Sequence, residues 1–131
     1  MNDKFLGLPD EKQQKILNAG YKVFSVYSYK KASTKQIADE AGISKALLFH
    51  YFRNKQTYYD YLFQSAIKVI QEQKRSKIVK GVDFFLLIEE EIHERLRLME
   101  IHGLQYRFIM KVYEDIEPLM IKITRFLGRK A

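Results

Sequence analysis

The 131-residue chain contains no cysteine, which excludes a disulfide framework and any chemistry that runs through a thiolate. Only two prolines and six glycines interrupt it, and 47% of its residues are hydrophobic and 14% aromatic. It therefore has neither the polarity nor the low complexity of a disordered segment. No apolar run approaches the about 20 residues needed to cross a bilayer. The opening Met1-Asn-Asp-Lys4 lacks the apolar core of a secretory signal, so a cytoplasmic protein without a membrane partner is expected. Alternating strand patterns and internal repeats are also missing. What remains is an all-α chain of single-domain size.

Its charge is strongly one-sided. Lys and Arg number 23 against 16 Asp and Glu, a formal net charge of +7. Residues 1–75 hold 13 of the cations against 7 acids, whereas residues 76–131 hold 10 against 9. A cationic first half suits a partner that carries phosphates and predicts binding that weakens steeply with salt. Helical periodicity predicts helices at 9–27, 34–41, 45–52, 55–76, 83–102, 104–115 and 117–128. Pro9 followed by Asp10 and Glu11 is a favourable helix start, because proline loses nothing at the first position and acids suit the positive end of the helix dipole. Ile16, Ala19, Gly20, Val23, Phe24 and Tyr27 then form one face, expected to pack on Ile37, Leu48 and Phe52.

The densest signal lies between Ser33 and Lys55. Ser33 with Gln36 reads as a capping box that opens a helix at Thr34. Ile37, Ala38 and Ala41 give that helix an apolar face, and Gly42 stands where a helix ends with positive φ. Ser44 can cap a second helix in which Leu48 and Phe52 point inward while Ala46, Leu47 and His50 point outward. Asn54 can cap a third, opening with Lys55 and placing free amides beside a cation, as an anion site requires. Two short helices joined at a glycine turn make a helix-turn-helix, whose second helix fits the major groove of B-DNA.

The pattern Thr34-x-x-Ile37-Ala38-x-x-Ala41-Gly42-Ile43-Ser44-x-x-x-Leu48-Phe49-x-Tyr51-Phe52-x-Asn54-Lys55 resembles the DNA-binding signature of TetR-family transcriptional regulators. Phe49 departs from it where the family usually has tyrosine, and Ser28 where a glycine often ends the first helix. The resemblance implies a three-helix head over residues 1–54, a connecting helix over 55–76 and a helical ligand-binding and dimerisation region over 77–131, with Ser76–Val82 as the hinge. It assigns base-edge contacts to Lys45, Ala46, Leu47 and His50, and phosphate contacts to Thr34, Ser44, Tyr51 and Lys55. The partners it implies are double-stranded DNA, a small-molecule inducer and a second copy of the chain. One helix-turn-helix reads few base pairs, so two heads about 34–36 Å apart on a palindrome are expected.

The last third is rich in aromatics and methionine. Phe84, Leu96, Met99, Tyr106, Met110 and Tyr113 are the residues expected to line an adaptable apolar pocket for the inducer. Relatives of this kind continue into further helices that form the dimer interface, so this short region is either incomplete or dimerises through Leu119, Ile121, Ile123, Phe126 and Leu127. Gly128 before Arg129 and Lys130 reads as a helix stop. Two other readings compete with a ligand-responsive repressor. Glu90-x-x-His93 has the spacing used in carboxylate-bridged metal bundles, but no second such pair exists and no nucleophilic constellation replaces it. No enzyme and no cofactor are therefore expected, and Glu89, Glu90, Glu91, Glu94 and Arg95 read as a charged helix face. The other competitor is a non-specific or architectural DNA binder.

Overall fold

The computed structural model describes residues 3–73 and 84–130, with side chains except at 84–87 and 129–130. All regular elements among them are helices: α1 Asp3–Leu6, α2 Asp10–Phe24, α3 Thr34–Ala41, α4 Lys45–Tyr51, α5 Lys55–Gln73, α6 Phe84–Ile101 and α7 Gly103–Lys130. The expected hinge at 76–82 and the expected end of α5 at 74–76 lie outside the described residues.

One close approach sets the packing of the first half. The Tyr58 hydroxyl of α5 donates a 2.6 Å hydrogen bond to the Ile16 carbonyl of α2. It can reach that atom because Gly20 has no side chain: a Cβ there would lie 2.3 Å from the hydroxyl and 2.4 Å from Leu62 Cδ1. Tyr58 and Leu62 are both fully buried, so neither has room to withdraw. Around this contact Ile16, Val23, Phe24, Ile37, Leu48 and Phe52 form the core expected from the sequence. Rings tile it, with Phe52 at 4.9 Å from Tyr58 and Phe24 at 4.9 Å from Tyr59.

Four features differ from the sequence expectation. A short helix, α1, precedes Pro9, and its Phe5 is fully buried against Tyr51, Phe52 and Tyr61. The Gln13 amide donates to the carbonyls of Leu6 and Leu8 and so ties this arm to α2. Helix α2 ends at Phe24, three residues early; the Ser25 hydroxyl donates to the Lys22 carbonyl, and Tyr27 is exposed. Finally, 104–115 and 117–128 are one helix. Pro118 lies within α7, where it forfeits the bond to the carbonyl four residues back and its ring crowds that carbonyl, on a solvated stretch where water can take up the freed carbonyl. The same helix runs through Gly128, which stops nothing.

The core does not end with the head. Phe108, Ile109 and Val112 of α7 are buried in the same cluster as the residues of α2 to α5. Phe108 lies 5.6 Å from Tyr21 and 5.6 Å from Tyr59. From Tyr113 to Gly128, α7 is exposed, including Leu119, Met120, Phe126 and Leu127.

Replacing Gly20 by alanine is expected to destabilise the protein by about 1–3 kcal/mol through overpacking. That is opposite in sign to the gain of about 1 kcal/mol which alanine has over glycine in a helix interior; urea denaturation decides between them. Burial also raises the tyrosine pKa values, that of Tyr21 from 10.0 to about 12 and that of Tyr58 further. The fold thus favours the neutral phenols, whose contribution is complete below the unfolded value near 10. Stability should fall as pH rises from there through about 12, and urea midpoints at stepped alkaline pH should show a shallower fall in Tyr58→Phe.

Candidate nucleic-acid interface and regulatory cavity

Serine hydroxyls start both helices of the helix-turn-helix. The Ser33 hydroxyl accepts from the Gln36 amide at 3.2 Å, and the Ser44 hydroxyl accepts from the Leu47 amide at 3.0 Å. Between them Gly42 adopts φ +71° and ψ 29°. The Ile43 amide donates to the Ala38 carbonyl and the Gly42 amide to the Asp39 carbonyl, a left-handed cap that turns the chain sharply into α4. The Asn54 side chain accepts from the Thr57 amide at 2.8 Å and starts α5 in the same way.

Helix α4 has seven residues, too few to persist alone in water. It is held by Leu48, fully buried, and by Phe52 just beyond its end. With those two inside, Lys45, Ala46 and His50 are exposed on the outer side. Leu47 is only half-exposed; it lines a cleft of about 200 Å³ with Leu8, Ile43 and Tyr51, so it is partly a packing residue and not the fully outward one expected. Tyr51 is half-buried beside Phe5, Thr34 is half-buried and Ser44 exposed at the helix starts. The Lys55 ammonium stands 4.7 Å from the centre of the Tyr29 ring, a cation–π contact, and its partial burial lowers its pKa.

Sequence reasoning missed part of this surface. Phe5 braces Tyr51 from an arm left unassigned, although Phe5, Leu6 and Leu8 gave that arm an apolar signal. Lys12 and Lys15 of α2 border the Leu47 cleft beside the helix-turn-helix glycine.

A second cavity, of about 500 Å³, lies among α5, α6 and α7. Its walls are Ile67 and Ile70; Glu91, Glu94, Arg95 and Leu98; and Tyr106, Ile109, Met110 and Tyr113. Tyr106, Met110 and Tyr113 are thus brought together. Leu96 and Met99 are not, being 58% and 47% exposed; the turn of α6 brings Leu98 into the wall instead. The Phe84 side chain lies outside the described residues. The charged face expected on α6 is also divided. Arg95 and Glu91, the more solvent-open part of the same wall, pair at 3.6 Å, whereas Glu94 is 8% exposed and takes the Arg97 guanidinium through both oxygens, Oε1 to Nη2 at 2.6 Å and Oε2 to Nε at 3.1 Å. Among the described residues no group of three or more His, Asp or Glu could hold a metal ion, and no helix is long and apolar enough to cross a membrane.

Residues 16–60 match the profile of the bacterial regulatory proteins of the tetR family, and they span the core of the head together with all of α3 and α4. Over these residues, about a third of its length, the chain is similar to the TetR family. It is 20% identical over 128 residues to YhgD, an uncharacterized HTH-type transcriptional regulator of Bacillus subtilis, across 92% of this chain and 67% of that protein. The fold is similar to the crystal structure of a TetR family transcriptional regulator from Chloroflexus aurantiacus, with a TM-score of 0.75 at 21% identity, across 85% of this chain and 52% of that one. The chain spans about half the length of that solved relative. The similarity over residues 16–60 agrees with the glycine turn and the two serine caps.

Ser44→Ala removes the acceptor of the Leu47 amide and should cost about 0.5–2 kcal/mol. A thermal melt that matched the unsubstituted protein would show that the core alone holds α4.

Proposed function

We propose that this chain is a TetR-family, cytoplasmic, sequence-specific DNA-binding regulator, a ligand-responsive repressor that binds a palindromic operator as a homodimer. The observation that carries the reading is helix α4, seated on Leu48 and Phe52 and presenting Lys45, Ala46 and His50 to solvent from the basic half of the chain. Lys45 donates to guanine O6 or N7, Ala46 and the free edge of Leu47 meet thymine methyls, and His50 donates to a base acceptor or a phosphate. Thr34, Ser44, Tyr51 and Lys55 hold phosphates and set the register. The cavity walled by Tyr106, Met110 and Tyr113 takes the inducer, which acts by preferring one spacing of the two heads. The exposed apolar side chains of α7, among them Leu119, Ile123, Phe126 and Leu127, support association with a second copy.

Incubating the protein with a random pool of duplex DNA at moderate salt, then sequencing what it retains, tests the reading. Enrichment of a palindrome is expected. Salt-sensitive binding with no enriched sequence would replace the regulator by a non-specific DNA binder. On the enriched site, Lys45→Ala should relax preference at one position by about 1–3 kcal/mol. Lys55→Ala should weaken binding to all sequences alike and reduce the salt slope by about one. Identical, sequence-independent losses from both would refute the division between reading and positioning residues.

A further inference from the structure

The buried carboxylate of Glu94 lies in the wall of the large cavity, and the guanidinium it holds reaches out of that wall. Arg97 Nη2 donates to Glu94 at 2.6 Å and also to the Gln73 carbonyl of α5 at 2.5 Å. Helix α5 is the element whose other end carries Asn54, Lys55 and Tyr58 into the head. A carboxylate that is more than nine-tenths buried is costly without a cationic or donor partner. The fork of a guanidinium, fixed by two parallel bonds, has a set direction that an ammonium lacks.

We infer that Glu94 and Arg97 are a positioning pair through which the cavity controls the connecting helix. Glu94 holds Arg97 on Gln73, and an occupant of the cavity that brings its own positive hydrogen-bond donor on an apolar body takes over Glu94 and frees Arg97 from α5. Ile67 and Ile70 of α5 line the same cavity, so the occupant also touches the helix it releases. The inference rests on the proposed DNA-binding function for its effect on affinity, but the hold of Arg97 on α5 stands independently of it.

The test combines amide hydrogen exchange with affinity for the selected duplex, in the unsubstituted protein, Arg97→Gln, Glu94→Gln and the double variant. Each single change is expected to speed exchange at residues 67–73 about tenfold or more. Each should weaken duplex binding by about 5- to 150-fold, with base preference and salt slope unchanged. The double variant, which removes both members of the pair, should be no worse than the worse single variant because the two groups act as a unit. Octylammonium chloride, an apolar body with one cation, should weaken binding by the unsubstituted protein and not by Glu94→Gln, with octyl alcohol as the uncharged control. Unchanged exchange and affinity in a folded Arg97→Gln, additive losses in the double variant, or an equal octylammonium effect with and without Glu94 would each overturn the inference. If no duplex is selected at all, the DNA-binding reading falls, and the exchange measurements still decide whether the pair holds α5.

Discussion

The hydrogen bond from the Tyr58 hydroxyl to the Ile16 carbonyl, made over the bare backbone of Gly20, is the contact on which the other packing depends. It joins residues 42 positions apart and sets how closely α5 approaches α2. Phe52 packs at a tilt against the Tyr58 ring, and Phe52 with Leu48 fixes the inner side of α4. The orientation of α4 therefore descends from a glycine in a different helix. The polar end of Tyr58 is satisfied inside the core, so the ring gains its burial without leaving a hydroxyl unpaired.

Much of the head was legible because its signals are local. Ser33, Gly42, Ser44 and Asn54 each do within a few residues what their chemistry predicts, and the periodicity of Ile16 to Phe24 and of Tyr58 to Ala66 marks the buried sides. The rest depended on distance. Nothing in the spacing of Phe5 says that it will meet Tyr51, and Lys55 looks like a free cation until Tyr29 folds beneath it. In the last third, periodicity marked helices but not their rotation. Apolar residues surround α6 broadly enough that Leu96 and Met99 were as plausible for the cavity wall as Leu98, and only packing on α5 and α7 chooses. Glu94 was hidden for the same reason, since an acid in a run of acids reads as a solvated face until Arg97 encloses it.

The second half of the molecule is attached to the first more intimately than a head and a separate body would be. Phe108 completes an aromatic cluster with Tyr21, Phe24 and Tyr59, while Lys111 ties Glu114 and Asp115 along the same helix at 3.5 Å each. Helix α7 thus lies against α2 and α5 at one end and leaves its far end exposed. Displacement of α5 must rearrange contacts that belong both to the head and to the cavity, which gives the two regions a shared mechanical element in place of a loose joint.

Helix α4 is less than two full turns long, and the residues that seat it, Leu48 within it and Phe52 just beyond its end, are disjoint from its outer ones, Lys45, Ala46 and His50. Seating and exposed chemistry are thus written in separate letters of one short word, and a change to an outer letter leaves the core that aims it untouched. A change to an inner letter alters the aim of every outer one at once. The same short segment is consequently both permissive and intolerant, according to which side a substitution falls on.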